Sequence, residues 1–295
     1  METDRRSLLG TALMAAALPA GAIAKPLHAP EVVRLWPGGA PGGQGVTVVE
    51  KSVVVEDQGR PGRDISGVRD PLISLHRPSK ASDTAILVIA GGAFRRVTFD
   101  KEGEEVCAWL ANQGVAAGAL LYRLPGDGWA AGPDATLHDA VRGLRLLAKR
   151  TGARRLGVLG FSAGGTIAGA MVTRLAELNY APVDEADAQA VRIDFLGLGY
   201  PYLNVPAPRK PMFFNGLTAS APPTFFFHAA DDPRVSVDNS IEPFRALKRL
   251  GVPAALHVFE SGGHGFALRA PPRSSAATWP DLFLTWVRAS GAASA

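Results

Sequence analysis

At 295 residues, with 47% hydrophobic and 20% charged residues, the chain has a globular composition and not a disordered one. The formal net charge of +4 is mild, and the basic pairs Arg95-Arg96, Arg154-Arg155 and Lys248-Arg249 are scattered without interleaved aromatics, a pattern that speaks against a nucleic-acid groove. Cys107 is the one cysteine, which excludes an internal disulfide and a cysteine-based metal site.

Along the chain, Arg5-Arg6 precede an Ala/Leu/Gly run, and Ala22-Ile23-Ala24 supplies the small residues of a cleavage site. This predicts a twin-arginine-like export leader over residues 1–24, cut after Ala24. Pro19 and Gly21 interrupt the run and make it a weak membrane span. The mature chain is therefore expected to be exported, periplasmic or secreted, without a stable membrane anchor.

After the leader, short apolar runs alternate with amphipathic ones. The strand candidates are "VTVVEKSVVVE", "DPLISLHRP", "AILVIAGG", "VAAGALLYRL", "RLGVLGFS", "IDFLGLGYP", "TFFFHAADD" and "ALHVFESGGH". The helix candidates are "EGEEVCAWLANQG", "LHDAVRGLRLLAKRTG", "AGGTIAGAMVTRLAEL", "SIEPFRALKRLG" and a last helix starting at Pro280. Gly114 and Gly251 suit helix C-caps. Cys107 sits among Val106, Trp109 and Leu110 at helical spacing, so it reads as a buried structural thiol. The acidic "DKEGEE" around Asp100 reads as a helix start. Strand-helix repetition with doubly apolar central runs predicts an α/β fold with a mostly parallel, eight-stranded sheet and helices on both faces. The first two runs alternate more and lack an intervening helix, so they are assigned to an antiparallel edge. One domain over 32–291 accounts for all of this. The Pro-rich stretch before Pro222 reads as a surface loop or short cap.

Gly160-Phe161-Ser162-Ala163-Gly164 follows a strand and precedes a helix, the context in which glycine-x-serine-x-glycine forms a nucleophile elbow. The serine takes an unfavourable backbone conformation, and side chains two positions either way would collide. A serine hydroxyl needs a base. His76 and His257 lie in strand patterns, His138 opens a helix, His28 follows the leader and His228 ends a strand. His264, in "ESGGHGF", is loop-borne and flanked by glycines after the last strand, so it is the chosen base. Of Asp231 and Asp232, Asp232 is assigned as the acid that orients the imidazole, and Asp231 as a turn or cap acceptor. Serine, aspartate, histidine is the chain order of the α/β-hydrolase fold. The Ala163 amide is one expected oxyanion donor; the other is Gly92 or Ala93, in "IAGGAFRR". Phe94, Phe161 and Phe266 are candidates for an acyl pocket, Arg95 for a sugar hydroxyl, and Tyr122-Arg123 for anchoring a strand-to-loop corner.

The segments "LWPGGAPG", "GGAF" leading to "FDKEGEEVCAWL", "LLYRLPGDG", "DAVRGLRLL", "GVLGFSAGG", "PPTFFFHAADDPRVSVDNS", "ALHVFESGGHGF" and "WPDLFLTW" resemble the α/β-hydrolase group of feruloyl-esterase-like and acetylxylan-esterase-like proteins, often labelled xylanase-like. The third glycine usual in such an oxyanion loop is Ala93 here. The resemblance implies a carboxylic ester hydrolase acting on acyl esters, chiefly acetyl, of a small-molecule or polysaccharide substrate. Its catalytic residues would be Ser162, Asp232 and His264, with no metal or other cofactor. A serine peptidase of the same fold and a non-catalytic carbohydrate-binding relative are the alternatives. An esterase working this way should gain rate as pH rises through about 6–7, where a histidine base loses its proton.

Overall fold

Strands and helices alternate as the apolar runs require in the computed structural model, which describes residues 28–292 apart from 179, 189, 191 and 204–215. The strands are β1 (Glu31–Arg34), β2 (Lys51–Asp57), β3 (Arg60–Ser66), β4 (Leu72–His76), β5 (Thr84–Ile89), β6 (Val97–Thr98), β7 (Ala116–Leu121), β8 (Arg155–Phe161), β9 (Phe195–Gly199), β10 (Thr224–Ala229) and β11 (Ala254–Phe259). The helices are α1 (Glu105–Asn112), α2 (Asp134–Thr151), α3 (Ala163–Thr173), α4 (Asp238–Arg249) and α5 (Trp279–Ala292). The expected leader, and residues 204–215 of the Pro-rich stretch, lie outside the described residues. No described helix is long and apolar enough to cross a membrane.

An eight-stranded sheet runs β1-β4-β7-β5-β8-β9-β10-β11. The pairs β1–β4 and β4–β7 are antiparallel and the rest are parallel. In β7 and β10 every residue is buried, as strands covered on both faces must be. Glycines in the sheet make room for rings: a Cβ on Gly199 would lie 2.4 Å from the Phe227 ring. That ring stacks on Trp279 at 4.3 Å, within a cluster that also holds Phe161, Tyr200 and Phe266. Gly114 and Gly251 end their helices in the left-handed region, at φ +87° and +74°.

The antiparallel edge is made differently from the expectation. "DPLISLHRP" is β4, but its outer neighbour is the short β1 and not "VTVVEKSVVVE". The latter becomes β2 of a separate three-stranded sheet, β2-β3-β6. The reason is a two-residue turn at Gln58 and Gly59, with φ +53° and +71°, which folds the chain back into β3. Positive φ at both turn residues matches the right-handed twist of a hairpin. β3, "RPGRDIS", carries no apolar pattern and is absent from the strand candidates.

Tyr122 and Arg123 do anchor the corner after β7. Tyr122 donates its hydroxyl to the Ala90 carbonyl at 2.8 Å. Arg123 donates to both oxygens of Asp139, which also accepts from Trp36 Nε1 at 2.7 Å. Both partners of the pair are buried, so Asp139→Ala would strand a charge; a loss of about 3–5 kcal/mol is expected in denaturant unfolding. Cys107 is fully buried and burial pushes its thiol pKa up.

Candidate active site

The parallel strands are in register, with Ile89 opposite Gly160 and Phe161 opposite Gly199. Their carboxyl ends therefore open onto one crevice, where α/β sheets hold their ligands. Ser162 sits there between β8 and α3 at φ +49° and ψ −118°. Its amide donates to the Gly199 carbonyl at 3.0 Å, and its carbonyl accepts from the Tyr202 amide at 3.0 Å. Steric need fixes both flanking glycines. A Cβ on Gly160 would come within 2.5 Å of the Gly164 oxygen, and one on Gly164 within 2.0 Å of the Ile89 oxygen. The hydroxyl does not cap α3; it lies 2.9 Å from His264 Nε2.

His264 follows β11 in a loop whose glycines take left-handed φ, +64° at Gly263 and +78° at Gly265. Asp231 Oδ1 accepts the amides of Gly262 and Gly263 at 2.9 and 2.8 Å, so the acid expected to serve a turn holds the histidine loop. His264 Nδ1 lies 2.6 Å from Asp232 Oδ2. Asp232 Oδ1 accepts the amides of Arg234 and Val235 at 2.8 and 2.9 Å. Its Oδ2 also faces His228 Nε2 at 3.2 Å, a nitrogen that lies 3.1 Å from the Val235 carbonyl and so must carry the proton. Burial alone would raise the Asp232 pKa, but donation from His228, His264 and the two amides holds it well below the usual carboxylate range. An ionised Asp232 draws the His264 proton to Nδ1, leaving the Nε2 lone pair aimed at the Ser162 hydroxyl. Such a relay can take the proton of an attacking serine.

The loop after β5 approaches from the other side. Gly92 has φ +131° and a Cβ there would meet the Arg96 oxygen at 2.0 Å. Ala93 and Phe94 both follow in left-handed conformation, at φ +56° and +59°. Gly91 donates its amide to Glu102 Oε2 at 2.7 Å, and the Arg95 and Arg96 amides both donate to the Gly92 carbonyl, at 3.1 and 3.2 Å. Gly92, Ala93 and Ala163 border the same cleft as Ser162. Sequence reasoning missed Glu102. The acidic stretch has the sequence of a plain helix start, yet Asp100–Glu104 winds as a π-helical turn and each acid is a tether. Asp100 binds Arg63, Glu104 binds His76, Glu105 binds Arg269, and Glu102 is buried against the glycine loop. Glu102 Oε1 accepts the Tyr200 hydroxyl at 2.9 Å, and that hydroxyl accepts the Ala267 amide at 3.2 Å. Burial and the Glu102 charge push the Tyr200 pKa well up, so the hydroxyl stays protonated. Its ring packs edge-on to His264 at 5.1 Å. One carboxylate thus ties the glycine loop to the histidine loop. The odd i→i+5 winding was not visible in the sequence.

The cleft measures about 570 Å³, and its outer wall is the β2–β3 hairpin, through Val55, Asp57, Arg63 and Asp64. Of the proposed substrate-contacting residues only Phe94 borders it. Phe161 and Phe266 are buried in the aromatic core beneath. Arg95 is exposed outside the cleft, whereas Arg96 borders it and pairs with Asp64 at 2.5 Å. A residue next to a catalytic loop in sequence can point into the core, and alternation along β8 does that to Phe161. Among the described residues no group of three His, Cys, Asp or Glu side chains is placed to hold a metal ion.

Residues 126–289 match the prolyl oligopeptidase family. The chain is 30% identical over 206 residues to an acetylxylan esterase of Xylanibacter ruminicola, covering 64% of this chain and 42% of that protein. It is 25% identical over 218 residues to endo-1,4-beta-xylanase B of Butyrivibrio fibrisolvens, covering 66% of this chain and 34% of that protein. The chain thus spans less than half the length of these curated relatives. Among solved structures it is similar to an acetyl ester-xyloside bifunctional hydrolase from Caldicellulosiruptor lactoaceticus, at TM-score 0.67 and 26% identity, covering 88% of this chain and 96% of that one.

Proposed function

The chain belongs to the prolyl oligopeptidase family, with an α/β-hydrolase fold and an acetylxylan-esterase-like character, and on that premise we propose that it is a serine esterase removing acetyl groups from carbohydrates. The observation that carries this reading is the 2.9 Å contact of Ser162 Oγ with His264 Nε2, backed by the 2.6 Å contact of His264 Nδ1 with Asp232. Ser162 attacks the ester carbonyl while His264 takes its proton. The amides of Ala163 and of Gly92 or Ala93 receive the oxyanion. The tetrahedral intermediate collapses as His264 returns the proton to the leaving sugar hydroxyl. Water, deprotonated by His264, then releases acetate and restores Ser162. The name of the xylan-acting relative supports an acetylated plant polysaccharide as substrate. A polymer outside the cell agrees with the leader read in residues 1–24, and one catalytic domain over 32–291 suffices for the chemistry.

The test is release of acetate from acetylated xylan and of nitrophenol from its acetate ester, beside an amide of the same acyl group. Ester turnover with a silent amide supports the esterase. Amide turnover at a comparable rate would favour the peptidase instead.

In this reading Glu102 positions the oxyanion loop. Glu102→Ala leaves the Gly91 amide and Tyr200 hydroxyl without their buried acceptor. An unpaired buried group costs about 1–3 kcal/mol, and a loop displaced by about 1 Å costs about 100-fold in rate. Both a lowered melting temperature and a kcat reduced by about that factor are expected for acetate ester hydrolysis.

A further inference from the structure

β2 is exposed along nearly its whole length. Val53, Val54 and Val55 are consecutive and 56%, 65% and 42% exposed, whereas the other exposed large apolar residues, Val32, Val49, Val183, Leu250 and Val258, stand apart from them. Successive side chains of a strand point to opposite faces, so both faces of this hairpin arm carry valine. β2 pairs with β3 through one edge and is the outer strand of its sheet. Its other edge offers a row of backbone donors and acceptors, and neither proline, bulge nor mid-strand lysine blunts it, as protected edges usually are.

The end charges of this strand stand about its midpoint, with Glu56 mirroring Ser52 and Asp57 also pairing with Lys101 at 3.1 Å. Lys51 stands three residues before Val54, and Asp57 three residues after it. We propose that two copies of the chain join through β2, antiparallel, about a two-fold axis at Val54, making one six-stranded sheet from two three-stranded ones. In that register Val54 meets its own counterpart and Val53 meets Val55 of the partner subunit. Lys51 meets Asp57 of the partner subunit, and the same ion pair recurs across the axis. A self-complementary patch is what a two-fold dimer requires. Shifting by two residues toward the acidic end sets valine against Glu56 or Asp57, and a further shift opposes Glu56 to itself. Shifting the other way sets Lys51 against valine. Only the register centred on Val54 joins apolar to apolar and opposite charge to opposite charge, the pairs that stabilise neighbouring strands. Val55 and Asp57 border the catalytic cleft, so the junction would lie at the cleft's outer wall.

Light scattering after size exclusion, on the full chain at rising concentration, reads the mass directly. The expected result is twice the chain mass, falling to one chain mass for Val54→Lys, which sets two like charges on the axis at an exposed and therefore tolerant position. Val54→Cys should cross-link to a dimer under mild oxidation, with Cys107 buried and silent and Val183→Cys as the exposed control. A monomer at every concentration overturns the proposal. So does a dimer that survives Val54→Lys, because it would use another face, and so does equal cross-linking at position 183.

Discussion

Ser162→Ala is expected to lower kcat for an acetate ester by about 10⁴- to 10⁶-fold, the range for removing the nucleophile of a serine hydrolase. The fold should survive, because the strained turn is fixed by backbone contacts and flanking glycines that alanine keeps: the Ser162 amide on Gly199, its carbonyl on Tyr202, and Gly160 and Gly164 closing the elbow. The residual rate would come from the amides around the cleft acting on bound ester and water. Steady-state kinetics beside a melting curve separate loss of chemistry from loss of structure. A variant retaining more than about 1% of the rate would remove Ser162 from the mechanism.

Asp232→Asn is expected to cost about 10⁴-fold in kcat with little change in KM. The Arg234 and Val235 amides require an oxygen at the Oδ1 position, so the introduced NH₂ must occupy the place of Oδ2. It then faces two imidazoles. His264 can meet it only by offering the Nδ1 lone pair, which moves its proton to Nε2 and aims a donor at Ser162 where an acceptor is needed. Substrate still binds, but the serine proton has nowhere to go. The same substitution alters the response to acid. An aspartate in an unfolded chain titrates near 3.9, and Asp232 in the fold lies well below that. Folding therefore favours the ionised form: its stabilisation is complete above about pH 4 and is lost as pH falls toward the folded value. The unsubstituted protein should lose stability below about pH 4 more steeply than Asp232→Asn, read by urea midpoints across that range.

The parts of the fold legible in the sequence were those with a strong local signal. Apolar runs such as "TFFFH" and "AILVI" could bury both faces only inside a parallel sheet, and glycines around Ser162 and His264 marked turns that no side chain would permit. Those signals lead to the contact geometry of Ser162, His264 and Asp232. Three features lacked such a signal. β1 is four residues long, too short to stand out. β3 mixes proline, glycine and charge, so it has no strand pattern. Glu102 looks like any acid at a helix start, and its buried partners Gly91 and Tyr200 come from remote segments. Neighbourhood in sequence also misled: Phe161 adjoins Ser162 yet faces the core, while Arg63, far away along the chain, reaches the cleft.

The two walls of the cleft have separate origins along the polypeptide. Ser162, Asp232 and His264 sit at the tips of the large sheet, while the opposite wall comes from a hairpin inserted between β1 and β4. Lengthening, trimming or recolouring that hairpin would reshape what the cleft admits, while Ser162, Asp232 and His264 keep their places on the large sheet. Diversification by loop grafting has a ready-made handle here.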